Sequence, residues 1–394
     1  ILQRLQSMER KAYIVGGAVR DLMLGLEPKD YDIVSEATPD EIEAAFPKTV
    51  GVGKQFGIMV IVTNEGPVEV ARFRADGAYT DGRHPDEIIF ADPAADAARR
   101  DFTINALFYD LEAGEVIDYV NGLQDLDGRL IRCVGEPARR FEEDALRMLR
   151  AVRFHNQLSS RKFRLDPELV AAIRPLSSRL ALVSRERITQ EMERVLLSLE
   201  PSVGLNDLVA ANLWEETFRC PFPPAFAPEL IDGIIENHLK HFGTHPGIVL
   251  PLSALEAHVP GFTAEHAFVL AKADKASLRA ITAFRSRLLA FDEGGLAVKK
   301  RILMDPSFPI TWSVSHTTEL EELPLLKIEW EKAGRLNPPT LLKPADLVEL
   351  GVPKGPEIGR TLEALRDEQL EERVLDIDAA LLFVKGRLPK DTVS

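Results

Sequence analysis

The sequence predicts an α+β chain: a head of mixed strands and helices over residues 1–134, then helices nearly to the end. Three observations predict it. Within 1–134, short strand-like and helix-like runs alternate. After Pro137 apolar residues recur at helical spacing. At 394 residues, the chain is also too long for one ordinary domain.

In order, the candidate strands of the head are 12–15, 31–35, 57–62, 68–73 and 115–119. Between them lie helical patterns at 18–24 and 39–46. The second opens on Thr38-Pro39-Asp40-Glu41: a Thr cap, Pro at the first helical position and acids in the first turn. Beyond the head, 141–154, 167–173, 187–198 and 205–211 read as helices. Residues 218–228, rich in Pro and Phe, read as a linker. Helical patterns resume at 228–242 and 263–291. A last helical unit over 343–385 is interrupted by Gly351-Val352-Pro353-Lys354-Gly355-Pro356.

Composition narrows the class. A 45% hydrophobic and 28% charged make-up is that of a globular chain, and no apolar run is long enough to cross a bilayer. Cys133 and Cys220 are the only cysteines, so a disulfide framework is excluded and a cytoplasmic setting is expected. The first residue is Ile1 rather than Met, so a trimmed start is expected. The net charge of −14 argues against a broad nucleic-acid-coating surface. From Arg139 to Arg164, however, eight Arg and Lys face three acids. Such a stripe is either a narrow contact for a polyanion or a solvated helix face.

The strongest chemical signal is Asp30-Tyr31-Asp32. Read as a strand, it points both carboxylates to one face. Carboxylate oxygens suit hard cations, and magnesium is held by one or two carboxylates plus substrate phosphates. Upstream stands Gly16-Gly17 between an apolar run and a helix start, where free N–H groups can cradle phosphate. Together these read as a nucleoside-triphosphate site. Either half alone is weak: a Gly pair is usually a turn, and Asp-x-Asp is usually surface. Glu69 is the candidate third acid, because a carboxylate between valines in a buried-looking strand is costly unless paired or metal-bound. The competing reading makes it a partner of Arg72 or Arg74. In a two-metal site one ion activates the attacking hydroxyl and the other steadies the leaving pyrophosphate, with the ions ~3.5–4 Å apart.

Arg99-Arg100-Asp101-Phe102-Thr103-Ile104-Asn105 reads as the start of an apolar helix. Two arginines there oppose the macrodipole unless an anionic ligand shares that end. Asn105 is a candidate ribose contact or loop-ordering residue. The bland reading has Asp101 capping the helix and Asn105 exposed.

Glu143-Asp144-Ala145-Leu146-Arg147 places Asp144 and Arg147 three apart, on one helix face. Usually that is a surface pair worth ~0.3–0.5 kcal/mol. The sharper reading uses their chemistry: a carboxylate only accepts and a guanidinium only donates. Adenine and cytosine each offer a donor beside an acceptor and so match both groups. Guanine and uracil present the reverse order and leave polar groups unpaired.

In combination these motifs resemble the class II tRNA nucleotidyltransferases, the CCA-adding enzyme family, which shares its head with bacterial poly(A) polymerases. The resemblance rests on the Gly16–Asp21 turn, Asp30-x-Asp32, the Arg99–Leu107 block, Asp118-Tyr119-Val120-Asn121-Gly122-Leu123-Gln124-Asp125-Leu126 and Glu143-Asp144-x-x-Arg147, with Val183-Ser184-Arg185-Glu186-Arg187-Ile188 also similar. It implies that Gly17 and Arg20 hold the triphosphate, that Asp30 and Asp32 bind Mg2+, and that Arg100 contacts the nucleotide. It further implies that Asp144 and Arg147 read the base and that Arg150 and Arg153 are nucleotide contacts. On an ideal helix Arg153 lies opposite Asp144. The implied architecture is a five-stranded nucleotidyltransferase head (1–134), then helical neck (135–215), body (216–335) and tail (336–394) holding the tRNA acceptor end. The implied reaction is template-independent addition of C and A from CTP and ATP.

Relatives of this kind make CCA, CC only, A only or long A tails. Arg74 to Arg83 is similar to a flexible loop that CC-only members lack, and Val52-Gly53-Lys54-Gln55-Phe56-Gly57 resembles the tRNA type. Neither separates CCA from A-only addition. The segment 351–360 looks like a Gly-Pro turn before an RNA-contacting helix. No His-Asp dipeptide occurs, which argues against a fused metal-dependent phosphohydrolase, and His241 and His245 read as ordinary histidines because Gly243 and Pro246 break the helix between them. Two rival classes are an RNA-binding module with a dead head and a nucleotidyltransferase for small molecules. The first predicts missing acids, and the second needs neither Asp144 and Arg147 nor the long helical half.

Overall fold

The computed structural model describes residues 1–76, 88–245, 247–315 and 320–388. Most of the 74–83 loop falls outside the described residues. In chain order the strands are β1 (Ala12–Val15), β2 (Asp32–Ser35), β3 (Thr49–Gly53), β4 (Ile58–Thr63), β5 (Gly66–Arg72), β6 (Arg74–Asp76), β7 (Ile88–Phe90), β8 (Leu107–Asp110), β9 (Glu115–Asp118), β10 (Leu130–Ile131) and β11 (Arg164–Leu165). The helices are α1 (Leu2–Gln6), α2 (Gly17–Met23), α3 (Pro39–Ala45), α4 (Pro93–Ala98), α5 (Gly122–Asp127), α6 (Pro137–Glu143), α7 (Leu146–Leu158), α8 (Pro167–Leu176), α9 (Arg185–Leu196), α10 (Pro201–Ala210), α11 (Trp214–Phe218), α12 (Glu229–Phe242), α13 (Val249–His258), α14 (Ala264–Ala267), α15 (Lys272–Leu289), α16 (Leu296–Met304), α17 (Phe308–Val314), α18 (Leu323–Lys332), α19 (Pro344–Glu349), α20 (Pro356–Leu370) and α21 (Ile377–Arg387).

The chain divides into two compact units: residues 1–229 with 259–269, and residues 230–258 with 270–394. In the first, seven strands pair in the order β3-β4-β5-β2-β1-β8-β9. Five strands were expected; β3 and β8 are the two missed. Thr49-Val50-Gly51-Val52-Gly53 carries two glycines in five residues and reads as loop until paired with β4. Leu107–Asp110, which follows the expected helix start at Arg99–Asn105, is a strand paired with both β1 and β9. β2 runs antiparallel to β1 and parallel to β5, so the sheet is mixed. One face packs Ile33, Met59, Ile61 and Val70 against Leu2, Leu5 and Ile42. The other packs Tyr13, Val15, Val34, Phe73 and Phe108. The expected Thr38 start of α3 is present as a capping box with Glu41.

Residues 218–228 are no loose linker. Trp214, Phe218, Phe222 and Phe226 stack on one another, and Phe218 also meets Phe262 and Phe268. Aromatic burial at four-residue spacing outweighs the prolines there. The basic stripe 139–164 is also revised. Arg140, Arg147, Arg150 and Arg153 turn inward to acids, leaving no continuous basic helix face.

In the second unit, Trp312 and Phe308 centre a core with Phe284, Leu288 and Leu303, and Trp312 Nε1 donates to the Leu320 carbonyl at 2.7 Å. Leu347, Leu365, Ala380 and Val384 close a second core over α19–α21. Gly351 and Gly355 both have positive φ, and Pro356 opens α20 as the Gly-Pro pattern anticipated. No helix of the described residues is long and apolar enough to cross a membrane.

Candidate active site

The site grows from the end of the β1–β2 pair. Val15 pairs with Asp32, so the turn leaving β1 and the acid opening β2 lie side by side. That turn is Gly16, at φ 73°, where a side chain would be strained and an added Cβ would stand 3.4 Å from Arg100 Nη1. Gly17 is the first residue of α2. Asp30 precedes β2 rather than lying in it, because the strand begins at Asp32.

Glu69 reaches the same place from β5. Ile33 aligns with Val70 in the parallel β2–β5 ladder, which sets Glu69 beside Asp32 one strand over, ~4.8 Å away. Ile33 and Val70 share one face, so Asp32 and Glu69 share the other. The electrostatics of the two acids follow from this placement. Burial pushes the Asp32 carboxyl up, and Asp30 adds to the rise while Arg100 opposes it. Burial pushes Glu69 up too, with Asp32 adding and Arg74 opposing. Both residues keep solvent-exposed surface, so the acids are water-accessible rather than sealed in the interior. The buried strand assumed for Glu69 is therefore half open.

Among the described residues, none donates a hydrogen bond to these three carboxylates, and no group of three or more His, Cys, Asp or Glu is placed to hold a metal ion by itself. An open cluster of mutually repelling acids fits a divalent cation completed by substrate oxygens, which is how magnesium is usually held.

Behind the acids runs a bonded framework. Arg99 and Arg100 do not open a helix; they close α4, at the end where the macrodipole favours cations. Both grip Asp96, which is fully buried, at 2.7 and 3.0 Å. Asp96 also accepts from the Arg74 backbone N–H. Arg100 Nη1 donates to the Asn105 carbonyl at 3.3 Å and its guanidinium lies 5.3 Å from the Phe108 ring. Asn105 is buried, and its side-chain oxygen accepts from Arg20 Nη1 at 2.7 Å. Arg20 also chelates Asp21 and lies over Phe154.

The Asp118–Leu126 stretch proves to be this framework's brace. Asp118 accepts three backbone N–H bonds at 2.9–3.0 Å, from Val120, Gly122 and Leu123. Asp125 accepts from Thr103 Oγ1 at 2.7 Å. At Gly122 an added Cβ would fall 2.2 Å from the Thr103 carbonyl oxygen, so only glycine lets α5 close on the turn that carries Asn105.

The expected base-reading pair is built differently from its spacing. The helical pattern 141–154 breaks at Asp144, which is extended at φ −152°, ψ 106°. Asp144 and Arg147 therefore share no helical face. Asp144 Oδ1 accepts the Leu146 N–H, and Arg187 of α9 forks onto both of its oxygens at 3.2 and 2.7 Å. Arg147, buried, pairs with Glu143 at 2.6 Å and donates to the carbonyls of Arg140 and Arg99. Neither group faces bulk solvent, and the Arg99 carbonyl links Arg147 to the residue beside Arg100. Glu143 sits below the usual carboxylate range: burial pushes it up, but Arg147 and Arg140 pull it down further.

Arg150 and Arg153 are also engaged. Arg150 bonds Asp101, whose carboxyl is held low because Arg150 and the Phe102 N–H outweigh its complete burial. Asp101 is thus a buried ion-pair partner, not an exposed cap. Arg153 is buried against Glu191 and lies 3.9 Å from the Phe154 ring centre. Sequence reasoning missed Asp96 and Glu191, and it named Arg187 only within the 183–188 stretch, without a partner or a role. Only Asp96 had a readable signal, being three and four residues before Arg99 and Arg100.

Comparison with known proteins follows this geometry. Residues 12–132 match the family model of the poly A polymerase head domain, and residues 162–227 match that of a probable RNA and SrmB-binding site of polymerase A. The CCA-adding enzyme of Levilactobacillus brevis is 42% identical over 233 residues, 59% of this chain and 56% of that protein. Matches at this level span about half the length of those curated relatives. The CCA-adding enzyme of Lacticaseibacillus paracasei is 32% identical over 414 residues, 99% of this chain and 92% of that protein. The crystal structure of the Bacillus stearothermophilus CCA-adding enzyme in complex with CTP superposes with a TM-score of 0.67 at 27% identity, over 98% of this chain and 95% of that one. With a relative above 30% identity matched nearly end to end, and with the head domain recognised over the strands that carry the acids, this chain belongs to the CCA-adding enzyme family.

Proposed function

We propose that this protein extends the 3′ end of tRNA with C and A, using CTP and ATP, releasing pyrophosphate and reading no template. One observation carries the reading. Three acids without a donor partner among the described residues stand beside a positive-φ glycine turn, and Arg100, Asp96 and Arg99 connect that turn to Arg147. The CTP bound by the Bacillus stearothermophilus relative supports the substrate class.

On this reading Asp30 and Asp32 are the metal ligands, and Glu69 completes the catalytic acids. Bound magnesium would supply charge neutralisation for the triphosphate and a lowered pKa for the attacking 3′-hydroxyl. Gly16 and Gly17 keep the α2 turn low enough for phosphate to approach. Arg20 and Arg100 give that wall positive charge, and Asn105 fixes both guanidiniums. Asp144 accepts from the amino group of cytosine or adenine, and Arg147 donates to the neighbouring ring nitrogen. Arg150, paired with Asp101, is the nucleotide contact that α7 contributes on this reading. Arg153, buried, contributes by holding α7 in place. The parts are a catalytic head (1–134), a neck bearing the reader (135–215), a body (216–335) and a tail that holds the acceptor end (336–394). A cytoplasmic setting completes the reading.

The test is incubation with tRNA ending at the discriminator base, at C or at CC, with each nucleotide singly and together. Expected products contain C and A and no G or U, in lengths ending at CCA. Asp30→Ala is expected to lower the rate by about 10³-fold or more, because several kcal/mol of transition-state stabilisation leave with the metal. Extension only from CC would identify an A-only enzyme, and unlimited A addition a poly(A) polymerase.

A further inference from the structure

We infer that Arg187 is a positioning residue for base selection: it aims the Asp144 carboxylate and so sets specificity without touching the nucleotide. The inference rests on Asp144 being a base reader, as proposed above.

Asp144 lies between two helices, outside the regular backbone of either. No helical turn orients its side chain, so its direction is set by the bonds its oxygens make. A carboxylate offers about four acceptor directions. Oδ1 takes the Leu146 N–H at 3.1 Å and Arg187 Nη1 at 3.2 Å. Oδ2 takes Arg187 Nη2 at 2.7 Å. The planar fork of a guanidinium fixes the carboxylate plane as well as its position. What remains is a single acceptor direction, on Oδ2. One fixed acceptor is what an exocyclic amino group requires, and it gives nothing to a carbonyl in the same place.

The same face of α9 does a second task. Glu191 lies four residues after Arg187, one turn along the helix. It pairs with Arg153 and stands 3.9 Å from Arg150. One face of α9 thus holds the residue ahead of α7 and two arginines along α7. Without Arg187, Asp144 keeps only the Leu146 bond and can swing, so the acceptor direction is lost while the residue remains.

The experiment measures kcat/KM for CTP and UTP on tRNA lacking its last three nucleotides, using the full chain. The variants are Arg187→Met, Arg187→Lys and Asp144→Asn, each checked by thermal melting. Arg187→Met is expected to raise KM for CTP with a smaller change in kcat, and to cut the CTP-over-UTP ratio by about tenfold or more. Arg187→Lys keeps the charge but not the fork, so it recovers only part of the ratio. A ratio within twofold of wild type in Arg187→Met, alongside a collapsed ratio in Asp144→Asn, overturns the inference and leaves the base-reading role standing. An unchanged ratio in Asp144→Asn overturns both. If Arg187→Met does not fold, Arg187→Lys decides: a full wild-type ratio there overturns the inference.

Discussion

Asp32 concentrates the electrostatic cost of the site in one residue. Burial and Asp30 raise its pKa above the ordinary value of 3.8. A folded-state pKa above the unfolded one means that the charged form opposes folding. That penalty is absent well below pH 4 and fully present once the pH exceeds the raised value. Asp32→Asn is therefore expected to raise the metal-free melting temperature at pH 7 by about 1–3 °C, with the gain shrinking as the pH falls to 4. Added magnesium and CTP are expected to stabilise the wild type but not the variant, by ligand linkage. A lower melting temperature for the variant at pH 7 would show that Asp32 is paired, not repelled. The sequence named Asp32 and Glu69 as neighbours and Gly16 as a turn, and the structure places them so. The immediate partners of the site residues were not legible. Arg187 lies 43 residues from Asp144, and nothing local links the two. The spacing of Asp144 and Arg147 suggested a shared helix face. A carboxylate that caps the next helix and pairs with a distant guanidinium breaks that helix instead.

At the scale of elements, the head depends on how closely α5 packs on the Thr103–Asn105 turn. Gly122→Ala would drive a methyl group into the Thr103 carbonyl. The expected cost is about 1–3 kcal/mol, a fall in melting temperature of about 3–10 °C for a unit this size. Calorimetry checks it, and an unchanged melting temperature would mean that the turn yields freely. Elements with strong local signals were legible. The Thr38 cap, Pro at the first position and two acids fixed α3 to within a residue, and the apolar run 12–15 before Gly16-Gly17 marked β1. Elements that depend on long-range pairing were not. β3 carries two glycines in five residues, and β8 is a short run of Leu, Phe and Tyr ending at Asp110. Such segments take their structure from their neighbours in the sheet, and period-2 patterns over four or five residues are too short to announce it.

At the scale of the molecule, a net charge of −14 coexists with a site built from guanidiniums. The balance is kept locally. Arg99 and Arg100 share Asp96, Arg147 has Glu143, Arg150 has Asp101, and Asp144 has Arg187. Positive groups are thus held in place by fixed acids, while the three acids on β5 and at the start of β2 are without such partners among the described residues. On the proposed function, that contrast separates a wall that orients a nucleotide from a wall that takes a cation. On the proposed reading, template-free selection requires the first wall to choose bases before any RNA is present. The direct measurement is calorimetric titration of the RNA-free protein with CTP, ATP, UTP and GTP, each with a divalent cation. Base reading by Asp144 and Arg147 predicts that CTP and ATP bind at least about tenfold more tightly than UTP and GTP. Equal affinities for all four would contradict it.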